Sequence, residues 1–246
     1  MDVSGAVRPV DIDEDPTITK RTFWEDDTFF AAISRGYIRP GHTLICPHPV
    51  VFRERRRPRS LHDSMMSPGA IDALTSAVKS VITCLRARYG DSYAVFEHGN
   101  VCSRYTPTVC GTEYPHLHVL PLDECIVDNV VDRHRYGAGR ELRRYSTLEH
   151  FYSSRRGSGQ YLLASDEWNA SGGETIAIWS GYECPLPSQA IRHTVQELLG
   201  DSPTRWQEQD KDESTVREAC DMARDLRRDR TSGNGEKRRQ GSSVVA

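Results

Sequence analysis

Tyr114-Pro115-His116-Leu117-His118-Val119-Leu120-Pro121 is the stretch on which the fold turns. Side chains two apart along an extended chain point to one face. The spacing predicts a strand over 116–120 that projects His116 and His118 together, with Tyr114 beside them if the strand reaches that far back. Two adjacent imidazoles can share a reaction. One neutral ring nitrogen attacks phosphorus near pH 7; its neighbour donates a proton or holds a phosphate oxygen. Cys110-Gly111-Thr112, just upstream, can offer backbone N–H groups to an anion. The same pair also suits half of a metal site. His98, Cys102 and Cys110 are then the candidate further ligands, none at the short paired spacing of a zinc knuckle. From the pair alone, catalysis, metal binding and a plain surface position all stay open.

Working outward, Thr43-Leu44-Ile45-Cys46 reads as a short buried strand ended by Pro47 and Pro49. Ser67, Pro68 and Gly90 bracket a long helix whose Ile71, Leu74, Val78, Val81, Ile82 and Leu85 form one apolar stripe. Residues 92–97 read as a strand. Residues 161–164 and 175–179 read as a strand pair with a turn at Ser171-Gly172-Gly173. Pro187 and Ser188 open a helix that Gly200 stops. Residues 123–158 have weak periodicity and read as a long excursion with one short helix. The expected organisation is a disordered arm over 1–20, a domain over 21–200, a charged helical extension over 201–230 and a disordered tail over 231–246.

The chain has 246 residues, a formal charge of -3 and 37% hydrophobic residues, which suits one domain with extensions. No run approaches the roughly 18 apolar residues of a membrane span. Met1–Asp15 is acidic and lacks a basic-then-apolar secretion pattern. Seven widely spaced cysteines point to reduced thiols and a cytoplasmic protein. The near-neutral balance makes no case for nucleic acid. Arg53 to Arg59 is either an anion patch or a solvated loop.

Four motifs, in order, resemble the histidine-triad (HIT) superfamily of nucleotide hydrolases and transferases. The family's His-x-His-x-His reads here as Tyr114-Pro115-His116-Leu117-His118. Arg39-Pro40-Gly41-His42-Thr43-Leu44-Ile45-Cys46-Pro47 is similar to its Pro-Gly-His strand. Phe96-Glu97-His98-Gly99 resembles a subgroup with a Glu-His-Gly strand end, and Pro187-Ser188-Gln189-Ala190-Ile191-Arg192 that subgroup's later helix. The resemblance covers about residues 22–200 and implies an α+β fold, an antiparallel sheet with packed helices.

It also implies roles. His116 would attack an α-phosphate and carry a covalent nucleotidyl group, with His118 on the phosphate oxygens and Tyr114 at the first triad position. Gly111 and Thr112 would stabilise developing charge. His48, His98, Asn100, Gln189 and Arg192 complete the substrate- and phosphate-binding candidates. The expected partner is a nucleotide or nucleotide-conjugate substrate, with no membrane; short HIT proteins pair, so a homodimer is compatible. No cofactor is required, though one branch carries a structural zinc. The other readings are a nucleotide-binding protein with a degenerate triad, and a His/Cys metal-binding protein.

Overall fold

The computed structural model describes residues 15–48, 60–64, 68–101, 114–137, 139–154, 159–170, 172–181, 186–187, 189–204 and 213–240. Ser67, Ser171, Ser188 and the arginine run 53–59 lie outside the described residues.

The class is α+β. Eight strands form one antiparallel sheet: β1 (Thr22–Glu25), β2 (Phe29–Ile33), β3 (Thr43–Pro47), β4 (Tyr93–Val101), β5 (Leu117–Pro121), β6 (Arg140–Tyr145), β7 (Gly159–Trp168) and β8 (Thr175–Ser180). Their order across the sheet is β1-β2-β3-β5-β4-β7-β8-β6. Short helices α1 (Ile18–Arg21) and α2 (Leu61–Ser64) accompany the longer α3 (Pro68–Tyr89), α4 (Ile126–His134), α5 (Leu148–Ser153), α6 (Ala190–Leu198) and α7 (Glu213–Gln240). Among the described residues no helix is long and apolar enough to cross a membrane.

Alternation along the strands divides the core in two. Val95, Leu117, Val119, Tyr161 and Leu163 pack with α3, α5 and α7 on one face. The α3 stripe read from the sequence lies wholly in that core, from Ile71 to Leu85. Phe96, Leu120, Leu162, Ile176 and Ile178 pack with α4 and α6 on the other face. Burying each such aliphatic side chain is worth ~1.5–3 kcal/mol, an upper-bound scale. The central strands are therefore covered on both sides, which is why β4 and β7 read as apolar runs.

The excursion over 123–158 is better ordered than its periodicity suggests. It holds α4, the edge strand β6 and α5. β6 escapes a hydrophobic-pattern reading because Arg140, Glu141, Arg143 and Arg144 fill most of it, charges that suit an open sheet edge. Asp166 of β7 caps α4 from outside, accepting the N–H groups of Ile126 (3.1 Å) and Val127 (3.0 Å). The described chain begins at Asp15. Asp15 is buried in an ion pair with Arg21, whose guanidinium also donates to the Ile33 carbonyl. At the other end, α7 starts at Glu213 and continues past residue 230 into the expected tail.

Candidate active site

His116 directly precedes β5, and His118 lies within it. β3 runs alongside, pairing Leu44 with His118 and Thr43 with Val119. His42 stands just before β3, two residues from Leu44, and so shares the face of His118. Gly41 makes this approach possible. Its φ of +85° is left-handed, and a Cβ there would lie 2.7 Å from Tyr89 and 2.9 Å from Pro121.

The three histidines form one hydrogen-bonded chain. His116 Nε2 lies 3.1 Å from His118 Nε2, and His118 Nδ1 lies 2.9 Å from His42 Nε2. Both ends are backbone groups. The Ile38 N–H donates to His42 Nδ1 (3.1 Å), and His116 Nδ1 meets the Tyr114 carbonyl oxygen (2.8 Å). An amide N–H can only donate, so neutral His42 carries its proton on Nε2 and passes the hydrogen bond to His118 Nδ1. His118 then carries its proton on Nε2, aimed at His116 Nε2. A carbonyl can only accept, so His116 carries its proton on Nδ1. The two ends give the same assignment. His116 Nε2 is left with its lone pair, the condition for a nucleophile.

Electrostatics agree with neutral rings. Burial pushes His116 below the ordinary histidine range, against the pull of the Tyr114 carbonyl. Burial pushes His118 well below it, reinforced by His116, His42, Arg192 and His98. His42 is likewise held well down, by burial, then Arg192 and His116. Phe96 stacks on His118 with ring centroids 4.4 Å apart and planes 11° from parallel, fixing that ring's orientation.

β5 starts at Leu117, so the strand does not reach back to Tyr114, whose phenol packs against the sheet. Its ring packs with Phe30, Ala32 and Cys46, and its hydroxyl donates to the Pro47 carbonyl. What touches His116 is the backbone oxygen of Tyr114. His48 follows β3 beside Phe30, with ring centroids 5.3 Å apart. His98 is buried on β4, two residues beyond Phe96, and burial drives its pKa to about 3. Nearby His134 falls to about 4, chiefly by burial, with its Nε2 2.9 Å from Thr194 Oγ1. Asn100 lies within β4, where its backbone pairs with Gln160 of β7. Gly111, Thr112, Cys102 and Cys110 lie outside the described residues.

Gln189 precedes α6 with φ 57°, a left-handed conformation uncommon outside glycine, and is buried. Arg192, one turn into α6, is 7% exposed. Its guanidinium donates to the Gly36 carbonyl (2.7 Å) and the Thr204 carbonyl (3.3 Å). Glu97 points to the opposite face. There it accepts the Leu61 N–H and the Tyr152 hydroxyl, each at 2.8 Å, and burial raises its pKa to about 7. Among the described residues, no group of three or more His, Cys, Asp or Glu could hold a metal ion.

His42 is the site residue that the search for paired histidines misses. Its signal is the Pro40-Gly41-His42 turn, which reads as a strand entry rather than a site.

No family model matches the chain, and no curated protein matches it. Among solved structures, it is similar to a HIT-like protein involved in cell-cycle regulation from Bartonella henselae, crystallised with an unknown ligand. Sequence identity is 21%, the TM-score is 0.29, and the match covers 41% of this chain and 66% of that one, just under two thirds of its length.

Proposed function

We propose that the protein is a HIT-like nucleotidyl hydrolase or transferase that works through His116. The observation carrying this reading is the unprotonated Nε2 of His116, which accepts from His118 and is backed by a hydrogen bond from its own Nδ1–H to the Tyr114 carbonyl. In the first step the Nε2 lone pair forms a bond to the α-phosphorus. The bond from phosphorus to the leaving group breaks, and the leaving group departs with that electron pair. The ring becomes a cation whose Nδ1–H the Tyr114 carbonyl stabilises. The His118 Nε2–H loses its acceptor at this moment and turns to a phosphoryl oxygen. In the second step water, or another acceptor, attacks phosphorus. The N–P bond breaks and its electrons return to Nε2, while the acceptor's proton goes to solvent.

The test is intact-protein mass spectrometry after incubation with nucleoside phosphoramidates, dinucleoside polyphosphates and nucleotide sugars. The expected result is an acid-labile nucleotidyl adduct, absent from His116→Ala. Binding of a nucleotide without adduct or turnover would replace the catalytic reading with that of a binding protein.

A further inference from the structure

The chain of histidines is anchored at His42 by the Ile38 N–H, and Ile38 belongs to the connection between β2 and β3. That connection carries few regular hydrogen bonds of its own: Ser34 N–H to the His42 carbonyl (2.8 Å) and His42 N–H to the Arg39 carbonyl (3.1 Å). Outside contacts hold it too: Tyr37 donates to Glu218 of α7, Arg35 and Arg39 pair with Asp15 and Glu124, and α6 packs beside Ile38. Ile38 packs against the core that contains Ile191 and Val195. Arg192 reaches from the same helix to the Gly36 carbonyl, two residues before Ile38.

The guanidinium donates to the backbone carbonyls of Gly36 and Thr204. Burial lowers its pKa to about 10, which leaves it charged at neutral pH. Its charge is felt by both His42 and His118. Thr204 has a second hold on α6, since Gln196 donates to its hydroxyl (2.8 Å) and accepts its N–H (3.1 Å). The Gly36 carbonyl, on the site side, is the contact that Gln196 does not reinforce.

We infer that Arg192 is a positioning residue, which pins the Gly36–Ile38 turn so that the Ile38 N–H sets the tautomers of His42, His118 and His116 in sequence. It acts through the turn and touches no reacting atom. Its two properties separate by substitution. The forked hydrogen bonding holds the turn, and the charge disfavours protonation of His42 and His118. Arg192→Lys keeps the charge and loses the fork. Arg192→Gln loses the charge.

The experiment is histidine-selective 15N NMR of the full chain, which reads the protonated nitrogen of each ring and its titration. It rests on the geometry and not on turnover, so it stands apart from the adduct measurement. If the inference holds, the parent has His42 and His118 protonated on Nε2 and His116 on Nδ1. Arg192→Lys then gives a tautomer mixture at His42 with little change in titration. Arg192→Gln gives the mixture and also raises the midpoints of His42 and His118. His116 and His98, the other titratable neighbours of His118, report whether the change is local. Gln196→Ala, which releases Thr204 alone, leaves the tautomers unchanged. A parent with His42 protonated on Nδ1 overturns the inference without any variant. So do folded Arg192 variants with parent-like tautomers, or a Gln196→Ala spectrum that changes as much as theirs. If the tautomers behave as expected but no adduct forms on any substrate, only the catalytic reading fails.

Discussion

His42 Nε2 and His118 Nδ1 lie 2.9 Å apart, a contact between residues 76 positions distant in the chain. It joins the turn before β3 to β5 and makes the paired histidines part of a longer array. The functional reading depends on that array, and its members respond differently to substitution.

Replacing His116 with Ala should abolish adduct formation and lower turnover by roughly 10⁴-fold or more, as for other covalent nucleophiles. His118→Ala should retain the adduct but slow its formation by about 10²-fold, the scale for losing one donor to developing charge. Single-turnover kinetics on both variants separate the two roles. Equal losses would argue against His116 as the sole nucleophile.

Tyr114→Phe should leave turnover within about threefold of the parent, because the backbone oxygen and not the phenol meets His116. It leaves the buried Pro47 carbonyl short of a partner, at a cost of about 1 kcal/mol. Urea unfolding reads the stability change and a rate assay the rest. A large loss of rate with unchanged stability would move the phenol into the chemistry.

Buried neutral histidines make acid destabilising. His98 and His134, lowered to about 3 and 4, stay neutral in the fold while their unfolded forms take up protons below about pH 6.5. The unfolded state then binds more protons, so their contribution to stability is lost as pH falls from about 6.5 toward 4 for His134 and toward 3 for His98. Glu97 works in the opposite sense. Its pKa of about 7 exceeds the unfolded value, so its contribution is fully present below the unfolded pKa and is lost as pH rises through about 7. Glu97→Gln should therefore gain on the parent between pH 5 and 8, by on the order of 2 kcal/mol. Denaturant midpoints across that range check both signs. A Glu97→Gln difference that stays constant with pH would refute the raised pKa.

Gly41→Ala should destabilise the protein by about 1–3 kcal/mol, since a side chain at φ +85° meets Tyr89 and Pro121. The displaced turn should also disturb the His42 ring signals. Thermal unfolding and the same 15N spectra measure the two effects. A variant as stable as the parent would show that the turn has room to adjust.

The strands around the histidine pair are legible because period-two spacing and flanking prolines speak directly of extended chain. The α3 stripe is legible for the matching reason, a 3.6-residue period over a long segment. β6 is not, because Arg140, Glu141, Arg143 and Arg144 on an open edge have no buried face to betray them. His116 and His118 announce themselves by being two apart. The partnership of His42 with them is a tertiary fact, produced by β3 lying beside β5. Arg192 is legible as a cation near a helix start, and the sequence suggests a phosphate contact. That it grips Gly36 and Thr204 depends on where two loops pass, which no local pattern encodes.

The histidine chain begins at an amide hydrogen and ends at a carbonyl oxygen. Neither terminus is an ionisable group near neutral pH, so no proton enters the rings through the ends of the chain. It orients charge but conducts none: a proton given away by His118 has no route of replacement through His42. A departing group that needs protonation must draw on solvent or on the incoming acceptor. One that leaves as a stable anion has no such demand, and for it the closed chain is no handicap.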